Sequence, residues 1–230
     1  MRLKSAIAQD ITVAFQWLSH KKKLPVAAQI LICCEGKTEK LYFDALRFRV
    51  FRIPGYIEIS IEGEKGQHKA LIDRTVERRA ELASEQGLPE EEIECWAVCD
   101  DDGMSISYTS LCEYAEENSV NLAFSRPQFE AYLLQHFEQS KETDQQALYD
   151  ALKLYKNEYG YDGEYDKSDL SWLEQTLIDK PKLVDIAIVN ADQRTTQSAP
   201  LFLTVQELTK RLMELARFWG PILLCLGKTL

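Results

Sequence analysis

The chain has 230 residues, 45% of them hydrophobic and 28% charged, with a formal net charge of −10, which fits one sizeable soluble domain or one and a half. That acidity argues against a bulk electrostatic grip on nucleic acid, where cations displace the counterions, but it is compatible with carboxylates that bind metal. No apolar run approaches the ~20 residues of a membrane span.

Residues 1–28 read as a helical extension and linker: a short apolar pattern (Ile11, Val13, Phe15, Trp17, Leu18), then Lys21-Lys22-Lys23 and Pro25. The lysine run is a solvated linker or, alternatively, a phosphate contact. The order of residues here is not that of a signal peptide, and a cytoplasmic location is expected.

Ile30–Cys34 is a short apolar run ended by Glu35-Gly36, as in a buried strand, and an amphipathic helix is expected over about 38–50. Pro54-Gly55 marks a turn and Tyr56–Ile61 alternates as a second strand. A long helix follows, from about His68 to Gln86, with Gly87 as its stop. Residues 94–99 (ECWAVC) form a third strand, 100–105 a loop, 107–118 a helix and 120–124 a fourth strand. Pro127 opens a helix over Gln128–Gln139.

Residues 29–139 therefore alternate β-α-β-α-β-α-β-α, the pattern of a parallel sheet covered by helices. Residues 140–230 read as a mainly helical region packing on that core. Its helices are expected at about 144–158, 169–178, 181–191 and 204–217, the last with Thr204 as N-cap and Glu207 completing a capping box. The apolar tail Phe218–Leu226 needs a packing partner. Six cysteines (Cys33, Cys34, Cys95, Cys99, Cys112, Cys225) contain no CxxC pair, which argues against a zinc site. Most read as small core hydrophobes in a reducing compartment.

The chemistry-bearing residues sit at strand ends. In parallel α/β folds, sites form at the carboxyl ends of strands. Glu35 follows the first strand, and Gly36 permits close backbone approach. Asp100 and Asp102 follow the third strand; in an extended chain alternate residues point the same way, so these two share a direction and Asp101 turns elsewhere. Glu35, Asp100 and Asp102 together suit a hard cation such as Mg²⁺, or Mn²⁺. An acidic turn capping the next helix explains the three aspartates equally well. Glu130 lies in the first turn of its helix, beside the metal or simply complementing the helix dipole. His136 reads as a partly buried structural histidine, with acid/base catalysis as the alternative.

Several of these stretches resemble one family. Cys34-Glu35-Gly36-Lys37-Thr38-Glu39 is similar to its C-E-G-x-T-E motif, and Val98-Cys99-Asp100-Asp101-Asp102 to its hydrophobic-D-x-D motif. Ser125-Arg126-Pro127-Gln128-Phe129-Glu130, continuing to Phe137, is similar to its S-N-P-x-F-E-x-W-L-L-x-H-F motif, and Tyr165-Asp166-Lys167 to a later Y-x-K element. The family is the RloB-like family, whose core is similar to a Toprim domain, and the resemblance covers about 29–215. Arg126 stands where the family usually has Asn, Tyr132 where it has Trp, and Asp101 where a basic residue is frequent.

The resemblance implies a Toprim-like α/β sheet and a Mg²⁺-dependent nuclease that cleaves DNA or RNA in bacterial anti-phage defence, in abortive-infection or restriction-linked loci. It assigns Glu35 as acid/base or metal ligand and Asp100 and Asp102 as metal ligands. Glu39 and Glu130 become supporting carboxylates, and Lys167, with Lys37 and Arg126, a phosphate contact. The partners it implies are the nucleic acid, an ABC-type ATPase that gates activity, and a second copy in a homo-oligomer; a membrane is not expected. A non-catalytic Toprim-like scaffold in a defence complex is the alternative, and the acidic balance and the apolar tail fit it.

Overall fold

A computed structural model of the chain describes residues 28–55 and 57–226, without the side chains of 218–226. The helix expected in residues 1–25 and the Lys21–Lys23 run lie outside the described residues, as do Tyr56 and the side chains of the apolar tail.

Five strands form one sheet: β1 (Ala28–Cys34), β2 (Ile57–Glu62), β3 (Ile93–Asp100), β4 (Asn121–Arg126) and β5 (Phe202–Leu203), in the order β2-β1-β3-β4-β5. The first four are parallel, and β5 joins β4 antiparallel through Ser125–Leu203 and Arg126–Phe202. Both faces are covered, which is why Ile30–Cys34 of β1 and Cys95–Cys99 of β3 are apolar without interruption. On one face Ile30, Ile32, Cys34, Trp96 and Val98 join one core cluster; on the other Leu31, Cys33, Cys95, Ala97 and Cys99 join a second. The four strand cysteines are thus small core side chains, and burial raises each of their pKa values.

The second face carries α2 (His68–Gln86) and α3 (Tyr108–Glu117). Gly87, at φ +68°, closes α2 in the left-handed conformation that suits glycine. Ser107 caps α3, its hydroxyl accepting from the Ser110 N–H. The first face carries α1 (Lys37–Ala45), α4 (Phe129–Leu134), α5 (Gln145–Glu158), α6 (Ser171–Asp179), α7 (Lys182–Ala191) and α8 (Val205–Leu226). One continuous cluster joins Ile30, Ile32 and Val98 of the sheet to Leu148, Trp172, Val184, Leu208 and Leu212. The C-terminal helices therefore share the core of the sheet. Among the described residues no helix is long and apolar enough to cross a membrane.

Three local expectations change. The helix expected to Val50 is α-helical only to Ala45 and continues as a π-helical turn, Leu46–Val50. The helix expected over Gln128–Gln139 keeps α geometry only over α4; beyond it Gln135, His136 and Phe137 donate three residues back, to Tyr132, Leu133 and Leu134. Thr204 does not form the capping box: its hydroxyl accepts from the Phe124 N–H at 2.9 Å, and Glu207 pairs with Lys210. The sheet takes this hydroxyl because β5 brings Thr204 against β4, a pairing the local sequence does not encode.

His136 is fully buried in α4's shadow, with Nε2 3.0 Å from the Tyr42 hydroxyl and Nδ1 3.0 Å from the Leu133 carbonyl oxygen. Burial lowers its pKa to about 4, so it stays neutral. It does not line the cleft described below, and its role is structural. Because the folded value is depressed, this stability is full above about 6.5 and is lost as pH falls toward 4, about 3 kcal/mol in all. His136→Phe is expected to flatten that acid-side slope. It also strands the Tyr42 hydroxyl, at a cost of about 2 kcal/mol at pH 7. Urea unfolding at pH 7 and pH 5 measures both.

Candidate active site

Helix α1, which follows β1, covers one face of the sheet, and α3, which follows β3, covers the other. The crevice between the carboxyl ends of β1 and β3 is therefore the topological switch point, where open α/β sheets take ligands. The Glu35 N–H donates to the Val98 carbonyl at 2.9 Å, which fixes Glu35 beside the end of β3. A cleft of about 420 Å³ opens there, and its walls include Glu35, Gly36, Lys37, Glu39, Asp100, Asp102, Glu130 and Lys167.

Each carboxylate is held by its own element. The chain turns directly after Asp100, and the Asp102 N–H donates to Asp100 Oδ1 at 3.0 Å. Asp100 and Asp102 both face the cleft because of this turn, not because the strand runs on. Glu39 is the third residue of α1 and is buried. Its carboxylate folds back over the helix start, where a Cβ on Gly36 would stand 2.9 Å from Glu39 Oε2. Gly36 has φ −122°, which any residue adopts, so glycine is required here for space rather than for backbone freedom. Glu130, in the first turn of α4, accepts from the Tyr165 hydroxyl at 3.1 Å. The Thr38 hydroxyl donates to the Lys167 carbonyl at 2.8 Å. The Tyr165–Lys167 segment is thus tied to both α1 and α4, and exposed Lys167 stands at the cleft mouth with exposed Lys37.

Gathering acids in a half-buried crevice raises their pKa values. Burial, then the Asp100 charge, lifts Glu35 to about 7, against hydrogen bonds from the Asp100 backbone and the Gln67 side chain. Burial lifts Glu39 to about 8, with Asp100, Glu130 and Glu35 adding to it. Asp100 and Glu130 are raised as well, again chiefly by burial.

The donor set fits a hard divalent cation. Glu35 Oε2 is buried without a hydrogen-bond partner, an oxygen left for a ligand. Every donor is oxygen, and the carboxylates repel one another. Among the described residues no three His, Cys, Asp or Glu side chains converge as a ready-made cage for a metal ion. Mg²⁺ does not require one, since it keeps several waters and takes one or two carboxylates plus substrate phosphate. Asp100 and Glu35, with Asp102, are the residues that would hold it.

Arg126 is not brought to this cleft. Its guanidinium pairs with Asp101, Nε to Oδ2 at 2.8 Å, and donates to the Gln197 carbonyl at 2.8 Å. The cleft also has walls that the sequence reading missed. The loop after β2 supplies Glu64 and Gln67, α5 supplies Gln145 and Tyr149, and His68 Nε2 lies 3.1 Å from the Asp100 carbonyl oxygen. Positive φ at Glu64 (58°) and His68 (51°) marks this loop as strained, as loops beside sites frequently are. Applying the strand-end rule to β2 would have found it; nothing local distinguishes Tyr149 from the other tyrosines.

Gly36→Ala is expected to leave unfolding free energy within about 1 kcal/mol, because only the far end of a flexible side chain must yield. It displaces the Glu39 carboxylate, and Mg²⁺ affinity is expected to fall about tenfold by calorimetry.

No curated protein and no solved structure matches the chain. The sequence profile of the family described as "RloB-like protein" matches residues 30–212. That span is most of the 230 residues, includes both strand-end acidic stretches and the Tyr165–Lys167 segment, and runs into α8; the chain belongs to the RloB-like protein family.

Proposed function

We propose that the protein is a Mg²⁺-dependent, Toprim-like nuclease that cleaves phosphodiester bonds of DNA or RNA in bacterial anti-phage defence, with an ATPase partner gating it. The observation that carries the reading is the set of mutually repelling carboxylates at the switch point, one with an unpartnered buried oxygen, facing a mouth that bears Lys37 and Lys167. A bound Mg²⁺ supplies Lewis-acid stabilisation of phosphate charge and a more acidic water. Asp100 and Asp102 would hold it, on the turn that their own hydrogen bond closes. Glu35, with a pKa near 7, is suited to give or take a proton at neutral pH. Glu39 and Glu130 stand behind it, the latter oriented by Tyr165. Lys37 and Lys167 meet the phosphates as flexible point charges. The defence role and the ATPase partner rest on the resemblance, and a partner bearing basic surface offsets the −10 charge of this chain.

The test is calorimetric titration of Mg²⁺ and Mn²⁺ into the purified wild type beside Asp100→Ala/Asp102→Ala, with parallel assays of both on plasmid DNA and total tRNA. Metal binding with metal-dependent cleavage is the expected result. Metal binding without cleavage directs attention to the ATPase as activator. Absence of carboxylate-dependent binding overturns the reading and leaves the non-catalytic scaffold.

A further inference from the structure

Asp101 and Arg126 form a contact that the chemistry above does not use. The guanidinium of Arg126 grips both carboxylate oxygens of Asp101, Nε to Oδ2 at 2.8 Å and a terminal nitrogen to Oδ1 at 3.3 Å. Its remaining terminal nitrogen donates to the Gln197 carbonyl at 2.8 Å. The Gln197 side chain in turn donates to Thr109 Oγ1 on α3, also at 2.8 Å. The rings of Phe124 and Phe202 lie 5.8 and 5.9 Å from the guanidinium, within cation–π range. A planar fork with fixed donors is the side chain suited to such a two-sided grip.

This contact has a mechanical consequence. Asp101 is the middle residue of the turn whose outer members are Asp100 and Asp102, and that turn ends on Gly103 at φ +66°. Holding the Asp101 carboxylate on the far side holds the peptide that carries the Asp102 N–H onto Asp100 Oδ1. The anchor at the other end, Gln197, belongs to the segment that leads into β5. The acidic turn is therefore fastened to the C-terminal half of the chain through a residue that does not line the cleft.

We propose that Arg126 is a positioning residue: acting through Asp101, it latches the acidic turn to the Gln197 segment and so sets the affinity of Asp100 and Asp102 for a divalent cation. This deepens the metal-site reading and rests on it. It departs from the expectation that Arg126 contacts phosphate, because its donors are already committed to Asp101 and to Gln197.

The test uses the full chain as wild type, Arg126→Ala, Asp101→Ala, the double alanine variant and Arg126→Lys. Three quantities are read: Mg²⁺ affinity by calorimetry, hydrogen exchange of the Asp102 amide in metal-free protein, and binding of a labelled oligonucleotide in metal-free buffer. Both single alanine variants are expected to lose 10–100-fold in Mg²⁺ affinity, the usual range for groups that orient metal ligands. The Asp102 amide is expected to exchange at least about tenfold faster, with the midpoint of urea unfolding near that of wild type. The double variant is expected to be no worse than either single one, because the two residues act as a unit. Arg126→Lys, which keeps the charge but not the fork, is expected to recover part of the affinity.

A phosphate-contact role predicts the opposite pattern. Asp101→Ala would then release the guanidinium and strengthen metal-free oligonucleotide binding, leaving Mg²⁺ affinity unchanged; that result overturns the latch. Unchanged exchange of the Asp102 amide in both single variants also overturns it. If wild type binds no Mg²⁺, the metal-site reading falls and takes the affinity part of the proposal with it, while the exchange measurement still decides separately whether the latch holds the turn.

Discussion

Asp100→Asn is expected to reduce metal-dependent cleavage about a thousandfold and to abolish measurable Mg²⁺ binding in the millimolar range. The substitution is close to isosteric, and the amide oxygen still accepts from the Asp102 N–H, so the turn is retained. What disappears is one anionic donor at the point where the cation would sit. A thousandfold loss corresponds to about 4 kcal/mol of transition-state stabilisation, within the several kcal/mol that a metal contributes to phosphoryl charge. Folding is not expected to suffer. Asp100 is half-buried with its pKa raised, chiefly by desolvation and also by the Asp102 charge, so neutralising it relieves that unfavourable charge in the metal-free protein. Glu113→Gln, on the exposed side of α3, serves as the control and is expected to leave cleavage unchanged. Retention of wild-type cleavage by Asp100→Asn would remove the basis for assigning a metal to this cleft.

The second large effect concerns stability and runs in the opposite direction. Glu39→Gln is expected to stabilise the metal-free protein at pH 9 by on the order of 4 kcal/mol, while lowering cleavage. Glu39 is raised from 4.5 to about 8, first by burial and then by the neighbouring carboxylates. A carboxyl group raised in the folded state binds its proton more tightly when folded than when unfolded. Its stabilisation is therefore complete below about pH 4.5 and is lost as pH rises through 8. The 3.5-unit difference sets the magnitude. Glu35, raised to about 7, adds to the same slope with the same sign. His136 opposes it only between 6.5 and 4, so the decline from pH 6.5 to 8 belongs to the carboxylates, and toward pH 9 the buried cysteines, raised as well, add to it with the same sign. Urea unfolding from pH 6 to pH 9 is expected to show a falling stability for wild type and a shallower fall for Glu39→Gln. Millimolar Mg²⁺ is expected to restore wild type by mass action on the folded state and to do less for the variant. A flat wild-type profile would show that these groups are not coupled as the geometry requires. An assembly of acids that weakens the empty protein and strengthens the loaded one is a usual cost of a functional site.

Where the chain's local pattern met no competition, the reading of the sequence and the structure agree. Ile30–Cys34 and Cys95–Cys99 are apolar without interruption because both faces of the sheet are covered, and they are β1 and β3. Helix α2 starts and stops where His68, Gln86 and Gly87 indicate, since a left-handed glycine ends it by local sterics. The β-α alternation is equally local, and the carboxyl ends of its strands follow from it. The C-E-G-K-T-E and D-D-D stretches were therefore legible as lying at the same, carboxyl end of the sheet. The family resemblance was carried by the same residues and is matched over 30–212.

The rest depended on partners distant in the chain. The two-residue β5 has no signal of its own, and it exists because Phe202 and Leu203 meet Arg126 and Ser125 across the sheet edge. That pairing drew the Thr204 hydroxyl away from the expected cap. Beyond Leu134 the turn after α4 is tighter, and there His136 meets Tyr42, 94 residues away. Arg126, for which the resemblance implied a phosphate contact, pairs with Asp101 and Gln197, while Tyr149 reached the cleft from a helix whose sequence shows only amphipathic packing. A periodicity or a strand-end carboxylate is fixed by backbone geometry within a few residues, and the sequence by itself therefore determined the four parallel strands, the helices that alternate with them and the acids at the strand ends. Which polar group each side chain meets is decided by the unique packing of the whole chain, and only the tertiary structure settled the partners of those acids, the burial that raises their pKa values, and the latch that holds their turn.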